Sequence, residues 1–428
     1  MKRLGVIGYG TRIRHILATI DKFGTDASVV AAIDPAESSL RVRFPEKLET
    51  VTFYDDVDAM LEGADLDGVL IGTNCLHHTP YAIKVLERGL PLFLEKPVAI
   101  DEAQLEALHA ASLTTKSEVV VSFPLRLSEL CVITKEVIDS GVIGTVENVQ
   151  AVNNVPFYGS NYYHGWMRDE SLTGGLWLQK ATHDLDYLTY LVGKLPARIV
   201  AVESKTVFTG DMPAGLYCLE CPIQKECPES QYNLFYKQGI LQDMSEAEGF
   251  WDGRWQCSFA TDTGNHDAAT AILQYESGAH LTYTQMFYAR RGAAKRGATF
   301  TGYKGTVSFD WNTDEVVVHH HHNGRVERHR VEATGGGHHG GDERLAHDFL
   351  AILNGAGPSR ATLADGILSA QLCLMAKRAC KTSQFQLFVP LGAPAKPAPT
   401  SHLSREGTQA LPYECVPAKP ASDKCVPS

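Results

Sequence analysis

The sequence predicts an α/β protein in two parts: an N-terminal doubly wound parallel sheet, then an α+β domain with a large, mostly antiparallel open sheet. Three observations carry this reading. Residues 3–123 alternate short apolar runs with helical periods, the pattern of a parallel sheet. A Gly8-Tyr9-Gly10 turn separates the first run from the first helix. Residues 268–332 are a succession of extended runs joined by Ser277-Gly278, Lys304-Gly305 and Asn323-Gly324, which are hairpin signals.

The bulk numbers set the frame. A chain of 428 residues is too long for one ordinary domain. With 44% hydrophobic and 21% charged residues it has the composition of a soluble globular protein. A formal charge of −11 argues against wholesale binding of nucleic acid or an anionic membrane. Met1-Lys2-Arg3 precedes an apolar run that breaks at Gly8, too short for a signal peptide, and no run reaches membrane-spanning length. A cytoplasmic location is the default expectation.

Taken in order, the first part reads as strand 3–8, helix 11–23, strand 28–34, helix 56–61, strand 67–73 and helix 80–88. The next run, Leu92-Phe93-Leu94, ends in Glu95-Lys96-Pro97, followed by helix 101–111 and strand 118–123. A lysine ending a parallel strand points to the crevice where open α/β sheets take ligands, and proline stops the strand. Taken alone, the Glu-Lys pair reads better as a solvated strand end, and it is what lies before and after the stretch that reverses the preference.

The first turn is Gly8-Tyr9-Gly10-Thr11-Arg12-Ile13. It holds the first two glycines of the dinucleotide fingerprint, with Ile13 in place of the third. Gly8 allows the tight turn. Gly10 lets a pyrophosphate approach the helix N-terminus at Thr11 and Arg12. Asp34 ends the second strand, where a carboxylate suits the ribose hydroxyls of NAD. Arg41 and Arg43 nearby keep NADP open. Thr73 and Asn74 lie where a loop passes the nicotinamide ribose. His78 either contacts a ligand or simply begins the next helix.

The second part opens at Phe123-Pro124-Leu125-Arg126, with a helix over 127–140 and a strand over 146–153. The loop 157–169 interleaves aromatics with His and Arg, including Tyr163, Trp166 and Arg168. Such a loop stacks on the C–H faces of a carbohydrate, or else packs a domain interface. A Gly174-Gly175 segment leads to Gln179, Lys180, His183 and Asp186 ahead of an apolar helix at 188–192. Spacings of four and three place Gln179, His183 and Asp186 on one helical face. Cys218, Cys221, Cys227 and Cys257 suit a tetrahedral zinc site that would anchor an insertion at about 210–260. An iron–sulfur cluster or plain reduced thiols fit the same residues. The run Thr334 to Asp342 is glycine-rich and carries His338 and His339. It either approaches a ligand closely or connects to a helix at 344–353. A helix over 363–381 closes the fold, and the Pro-rich residues 391–428 read as disordered. The expected division is a nucleotide-binding domain at 1–122, a substrate-binding and oligomerisation domain at 123–390, and the tail.

The glycine turn, the strand ending in Glu95-Lys96-Pro97, the Gly174 to Asp186 segment and the larger second domain resemble the glucose–fructose oxidoreductase/inositol dehydrogenase (Gfo/Idh/MocA) family, to about residue 385. The resemblance implies an NAD(P)-dependent enzyme, with a Rossmann domain, acting on a sugar, inositol or related polyol. It sets Lys96 beside nicotinamide and substrate, with Glu95 and Pro97 shaping the cofactor-facing turn. It makes His183 the general base, matches Asp186, and leaves Gln179 where many dehydrogenases carry aspartate. Lys180 joins Lys96 and His183 in the catalytic set. Arg126, Tyr163, Trp166, Arg168, Gln179, Asp186, His338 and His339 are the substrate-side candidates. The open sheet is expected to pair subunits into a homodimer or homotetramer. Two alternatives stand beside this reading: a lyase or glycosidase that uses NAD transiently, and a non-catalytic cofactor-binding regulator.

Overall fold

Apolar runs cut off by glycine turns build the first sheet. Strands β1 (Lys2–Ile7), β2 (Ala27–Ile33), β3 (Thr52–Phe53), β4 (Gly68–Ile71), β5 (Leu92–Leu94) and β6 (Val119–Val121) pair in parallel in the order β3-β2-β1-β4-β5-β6. The order reverses between β1 and β4, so a ligand crevice opens beyond their C-terminal ends. The intervening helices are α1 (Thr11–Lys22), α2 (Glu37–Arg43), α3 (Pro45–Leu48), α4 (Val57–Gly63), α5 (His78–Glu87) and α6 (Glu102–Ser112). Asp56 and Asp101 cap α4 and α6 through their side chains. The sequence reading passed over α2, α3 and β3. Each is short, and the two helices bury one residue apiece, Leu40 and Leu48, too little to show a period.

The computed structural model describes residues 1–24, 27–237, 255–332 and 338–392. All but the first two residues of the expected tail, the middle of the insertion, and Gly335, Gly336 and Gly337 lie outside them.

The second sheet has nine strands: β7 (Val146–Asn154), β8 (Pro196–Ser204), β9 (Ala268–Tyr275), β10 (His280–Met286), β11 (Lys295–Gly302), β12 (Gly305–Asp310), β13 (Glu315–His320), β14 (Val326–Arg330) and β15 (Gln386–Leu387). Their order is β14-β13-β12-β11-β7-β10-β9-β8-β15, antiparallel except for the β7–β10 pair. Burial alternates residue by residue along β9, β10 and β12, as in a sheet covered on one face. Helices α7 (Glu129–Asp139), α9 (Thr182–Val192) and α11 (Leu363–Thr382) lie on the covered face, while α8 (Glu170–Thr173) is a single turn before the Gly174 bend. Helix α10 (Gly341–Leu353) packs against α1, and Phe349 meets Phe93 of β5 with ring centroids 5.8 Å apart. Val121 of β6 donates its backbone N–H to Ala361 at 2.8 Å. One hydrophobic core runs through both sheets.

Candidate active site

The glycine turn is built tightly against β4. Gly8 has φ +85°, and a Cβ there would sit 2.8 Å from the Gly72 backbone. Gly10 has more room, with its nearest neighbour at 3.7 Å. Gly10 caps α1 with no side chain, so the N-terminal N–H groups at Thr11 and Arg12 face the crevice as an anion cradle. Ile13 is fully buried, and a Cβ on Gly72 would lie 2.2 Å from it. The close helix–strand approach that a third glycine normally permits is here supplied from the other side, by Gly72.

Asp34 is held at this turn. Its Oδ2 accepts from Tyr9 N at 2.7 Å and its Oδ1 from Ala36 N at 2.8 Å. Arg41 is committed to Glu37 and to the carbonyls of Leu48 and Val51. Thr73 turns its hydroxyl to the Asn74 carbonyl, and Asn74 Oδ1 is buried without a hydrogen-bond partner. An uncapped helix start, an acid ending β2 and an orphaned amide oxygen after β4 together fit a nicotinamide dinucleotide. His78 is a rivet: its ring nitrogens lie 2.8 Å from Pro97 O and 3.1 Å from Thr73 O, and it is 2% exposed. It holds the Lys96–Pro97 turn, whose peptide is cis, against the β4 loop.

Arg12 does more than line the cradle. Its guanidinium donates to Glu95 at 2.8 Å, to Ser122 at 3.0 Å and to Asp342 at 2.6 Å. Asp342 also takes His338 Nδ1 at 3.0 Å. Burial pushes the Asp342 carboxyl up, but His338 and Arg12 outweigh it and hold it well below the usual range.

Lys96 reaches across from β5. Its Nζ donates to the Gln179 carbonyl at 2.7 Å, one helical turn before His183. Burial lowers the Lys96 pKa. Residues Trp177–Ala181 form a π-helical turn that runs into α9. His183 is 7% exposed, and its Nδ1 is buried without a partner, as is Gln179 Oε1. Burial, reinforced by the charges of Lys96 and Arg296, keeps His183 well below its ordinary pKa, so it is neutral. Its ring lies 5.9 Å from that of His338.

Three residues that the sequence reading left out of the site belong to it. Asp184, fully buried, accepts from Arg296 at 2.8 Å, Asn153 at 2.7 Å and Tyr283 at 2.8 Å. Arg296 and Asp342 complete the set. Asp342 stood in the quoted glycine run, and its place four residues after His338 was a usable signal. Arg296 had none, because it reaches the site only through the pairing of β11 with β7, opposite Asn153.

Other candidates are placed elsewhere. Asp186, three residues after His183 in α9, is turned away from the crevice by its pairing with Arg126. It forms a buried bidentate pair with Arg126, which also bridges to Asp365 at 2.9 Å. Tyr163 is fully buried between Phe208 and Phe287, its hydroxyl donating to His266 O at 2.7 Å. Arg168 is buried against Asp262 and Thr263. The loop thus packs inward, and Trp166 remains exposed. His339 faces Asp314 at 3.3 Å, so of the two glycine-run histidines only His338 adjoins His183.

The zinc expectation finds no support among the described residues. Cys218, Cys221, Cys227 and Cys257 are free thiols, and among the described residues no group of three or more His, Cys, Asp or Glu side chains is placed to hold a metal. Cys218 instead packs with Leu234, Phe235 and Trp255, and burial pushes its thiol up to about 12.

A Rossmann sheet that aims a lysine at a neutral histidine on a second sheet's helix is the build of a nicotinamide-dependent oxidoreductase. A family model described as an oxidoreductase family, NAD-binding Rossmann fold, matches residues 2–123, and the model of its C-terminal alpha/beta domain matches residues 135–389. The chain belongs to this family, Gfo/Idh/MocA, and is an NAD(P)-dependent oxidoreductase. It is 24% identical over 384 residues, 82% of this chain and 89% of the other, to YteT of Bacillus subtilis, a protein named as an oxidoreductase. It is 26% identical over 220 residues to inositol 2-dehydrogenase of Rhizobium meliloti, covering 50% of this chain and 62% of that enzyme. The structure of levoglucosan dehydrogenase with NADH and L-sorbose is 18% identical, covers 92% of this chain and 100% of that one, and superposes with a TM-score of 0.71. That likeness is one of fold. Among the described residues no helix is long and apolar enough to cross a membrane.

Proposed function

We propose that this chain is an NAD-dependent dehydrogenase of a hydroxyl-bearing carbon on a sugar, inositol or related polyol. The observation that carries this reading is the Lys96–Gln179 bond, which joins the end of β5 to the His183 segment across the crevice. Nicotinamide bound at the glycine turn supplies a hydride acceptor or donor. The chain's own residues do the rest. Neutral His183 takes the hydroxyl proton as the C–O bond gains carbonyl character. Lys96 donates to the same oxygen and stabilises its negative charge. Gln179 Oε1, buried and unpartnered, accepts from a neighbouring substrate hydroxyl.

The commitment of Arg41 to backbone carbonyls and the placement of Asp34 favour NAD over NADP. The less covered face of the nine-stranded sheet, with Ile272 and Val202 exposed, supports pairing of subunits through that sheet. The test is a panel of aldoses, polyols and inositols with NAD and NADP, followed by NADH formation. Net NADH with one sugar class supports the dehydrogenase. Product without net NADH favours the transient-redox lyase or glycosidase. No turnover by either route rejects both.

A further inference from the structure

Each oxidation by this site leaves a proton on His183, and that proton must be passed on before the residue can act again. His183 is 7% exposed even before any ligand fills the crevice. Among the described residues, Lys96, Arg296, His338 and Lys180 bear on it electrostatically. Of these His338 is the imidazole, a base of the same intrinsic strength. Its ring lies 5.9 Å from that of His183, tilted by 35°. One bridging water or a small ring rotation closes that gap. The His338 side chain is 37% exposed, so it has the access to water that His183 lacks.

The backbone spends strain to put His338 there. Its φ is +49°, in the left-handed region, followed by +55° at His339 and +81° at Gly340. The chain then enters α10, whose first turn carries Asp342. Asp342 Oδ2 lies 3.0 Å from His338 Nδ1. A carboxylate only accepts, so Nδ1 carries the hydrogen and Nε2 keeps a lone pair for an incoming proton. The carboxylate is itself fixed. It is 1% exposed, takes Arg12 on its other oxygen at 2.6 Å, has His15 Nε2 at 3.3 Å, and sits at a helix start. Desolvation takes His183 well below its ordinary pKa, and lowers His338 less, because Asp342 opposes it. A proton thus moves downhill from His183 to His338.

We propose that His338, paired with Asp342, is the outlet for the substrate's proton. The substrate O–H bond breaks as an N–H bond forms on His183. His183 then gives up a proton as an N–H bond forms at His338 Nε2, and that nitrogen releases it to water. The Nδ1 hydrogen stays on Asp342 throughout. With the hydride passed to nicotinamide, the balance is one carbonyl, one reduced cofactor and one proton in solution. The inference rests on the dehydrogenase reading and adds a second proton carrier to it.

The test takes glucose, galactose, xylose and myo-inositol with NAD, and follows the best of them in the variants. His338→Ala is expected to lower kcat by about 100-fold, the low end for a positioned proton carrier, with KM and NADH affinity near those of the parent enzyme. Free imidazole is expected to restore part of that kcat and to saturate, and the solvent deuterium effect on kcat to rise. His338→Gln fills the same space and still bonds Asp342 without carrying a proton, so it is expected to lose as much and to gain nothing from imidazole. His339→Ala, in the same strained turn, is the control and is expected to keep its kcat. NADH fluorescence checks that each variant is folded. A raised KM with unchanged kcat makes His338 a substrate contact and overturns the outlet. So does full kcat in His338→Gln, an equal loss in His339→Ala, or a loss in His338→Ala that neither imidazole nor deuterium alters. No NADH from any of the four with the parent enzyme sinks the dehydrogenase reading, and the outlet with it.

Discussion

His183 is surrounded by cations and closed off from water, so its resting state is the free base. Burial comes first among the causes, then Lys96 and Arg296. A base with a depressed pKa stays competent as the solution is acidified. The acid limb of kcat/KM is accordingly expected to fall below pH 6.5, the ordinary histidine value. A limb centred at or above 6.5 would contradict the assignment. His183→Asn keeps a similar shape without the base, and is expected to lower kcat by about 100- to 10,000-fold with little change in NADH affinity. Lys96 and His183 were legible in the sequence because each sits in a short contiguous pattern, Glu95-Lys96-Pro97 and Thr182-His183-Asp184. Arg296 was not, because nothing within its own strand distinguishes it from the other polar residues there.

Among elements, the contact of α1 with β4 decides whether the cradle forms. Ile13 presses into the space that Gly72 leaves. Gly72→Ala is expected to destabilise the protein by about 1–3 kcal/mol, the usual cost of overpacking, and to weaken NADH binding because α1 must shift. Denaturant unfolding alongside a fluorescence titration checks both. Tight NADH binding in a destabilised variant would show that the cradle does not depend on this contact. The sequence displayed Gly8 and Gly10, but the compensation between Ile13 and Gly72 joins residues that are distant along the chain, and no local pattern reports it. The Trp177–Ala181 π-turn was equally hidden. The spacing of four from Gln179 to His183 assumes 3.6 residues per turn and crosses this wider turn, whereas Asp186 lies in the regular helix α9 and is held by Arg126.

At the scale of the molecule, three buried histidines among the described residues link stability to pH. Burial lowers His78 and His183, and takes His164 down to about 3. In the unfolded chain each titrates near about 6.5. Below that pH the unfolded state binds protons that the folded state refuses, so stability is present above it and is lost as the pH falls through it. Each histidine contributes up to about 1.4 kcal/mol per pH unit there. Thermal scans are expected to show Tm falling between about pH 7 and pH 5, beyond the change in a variant with His164→Phe. A Tm that is flat across this range would mean the histidines ionise in place. The two-sheet architecture itself was legible, since alternating and extended runs are long-range in extent but local in signature. The carbonyl of Ala361 on Val121, and Phe349 on Phe93, were not.

Those last contacts bear on the order in which the chain is made. The first six strands leave the ribosome early, but Arg12 meets Asp342 across a separation of 330 residues. Until α10 and α11 emerge, β5 and β6 lack their outer cover, and Arg12 has Glu95 but not its second acid. The nucleotide-binding half is thus begun first and finished last, and newly made protein passes through a long interval in which its apolar sheet is partly bare. A chain ending at residue 332 is expected to bind NADH poorly and to aggregate, while one ending at residue 392 does neither. Tight NADH binding by the shorter chain would show that the early half completes itself.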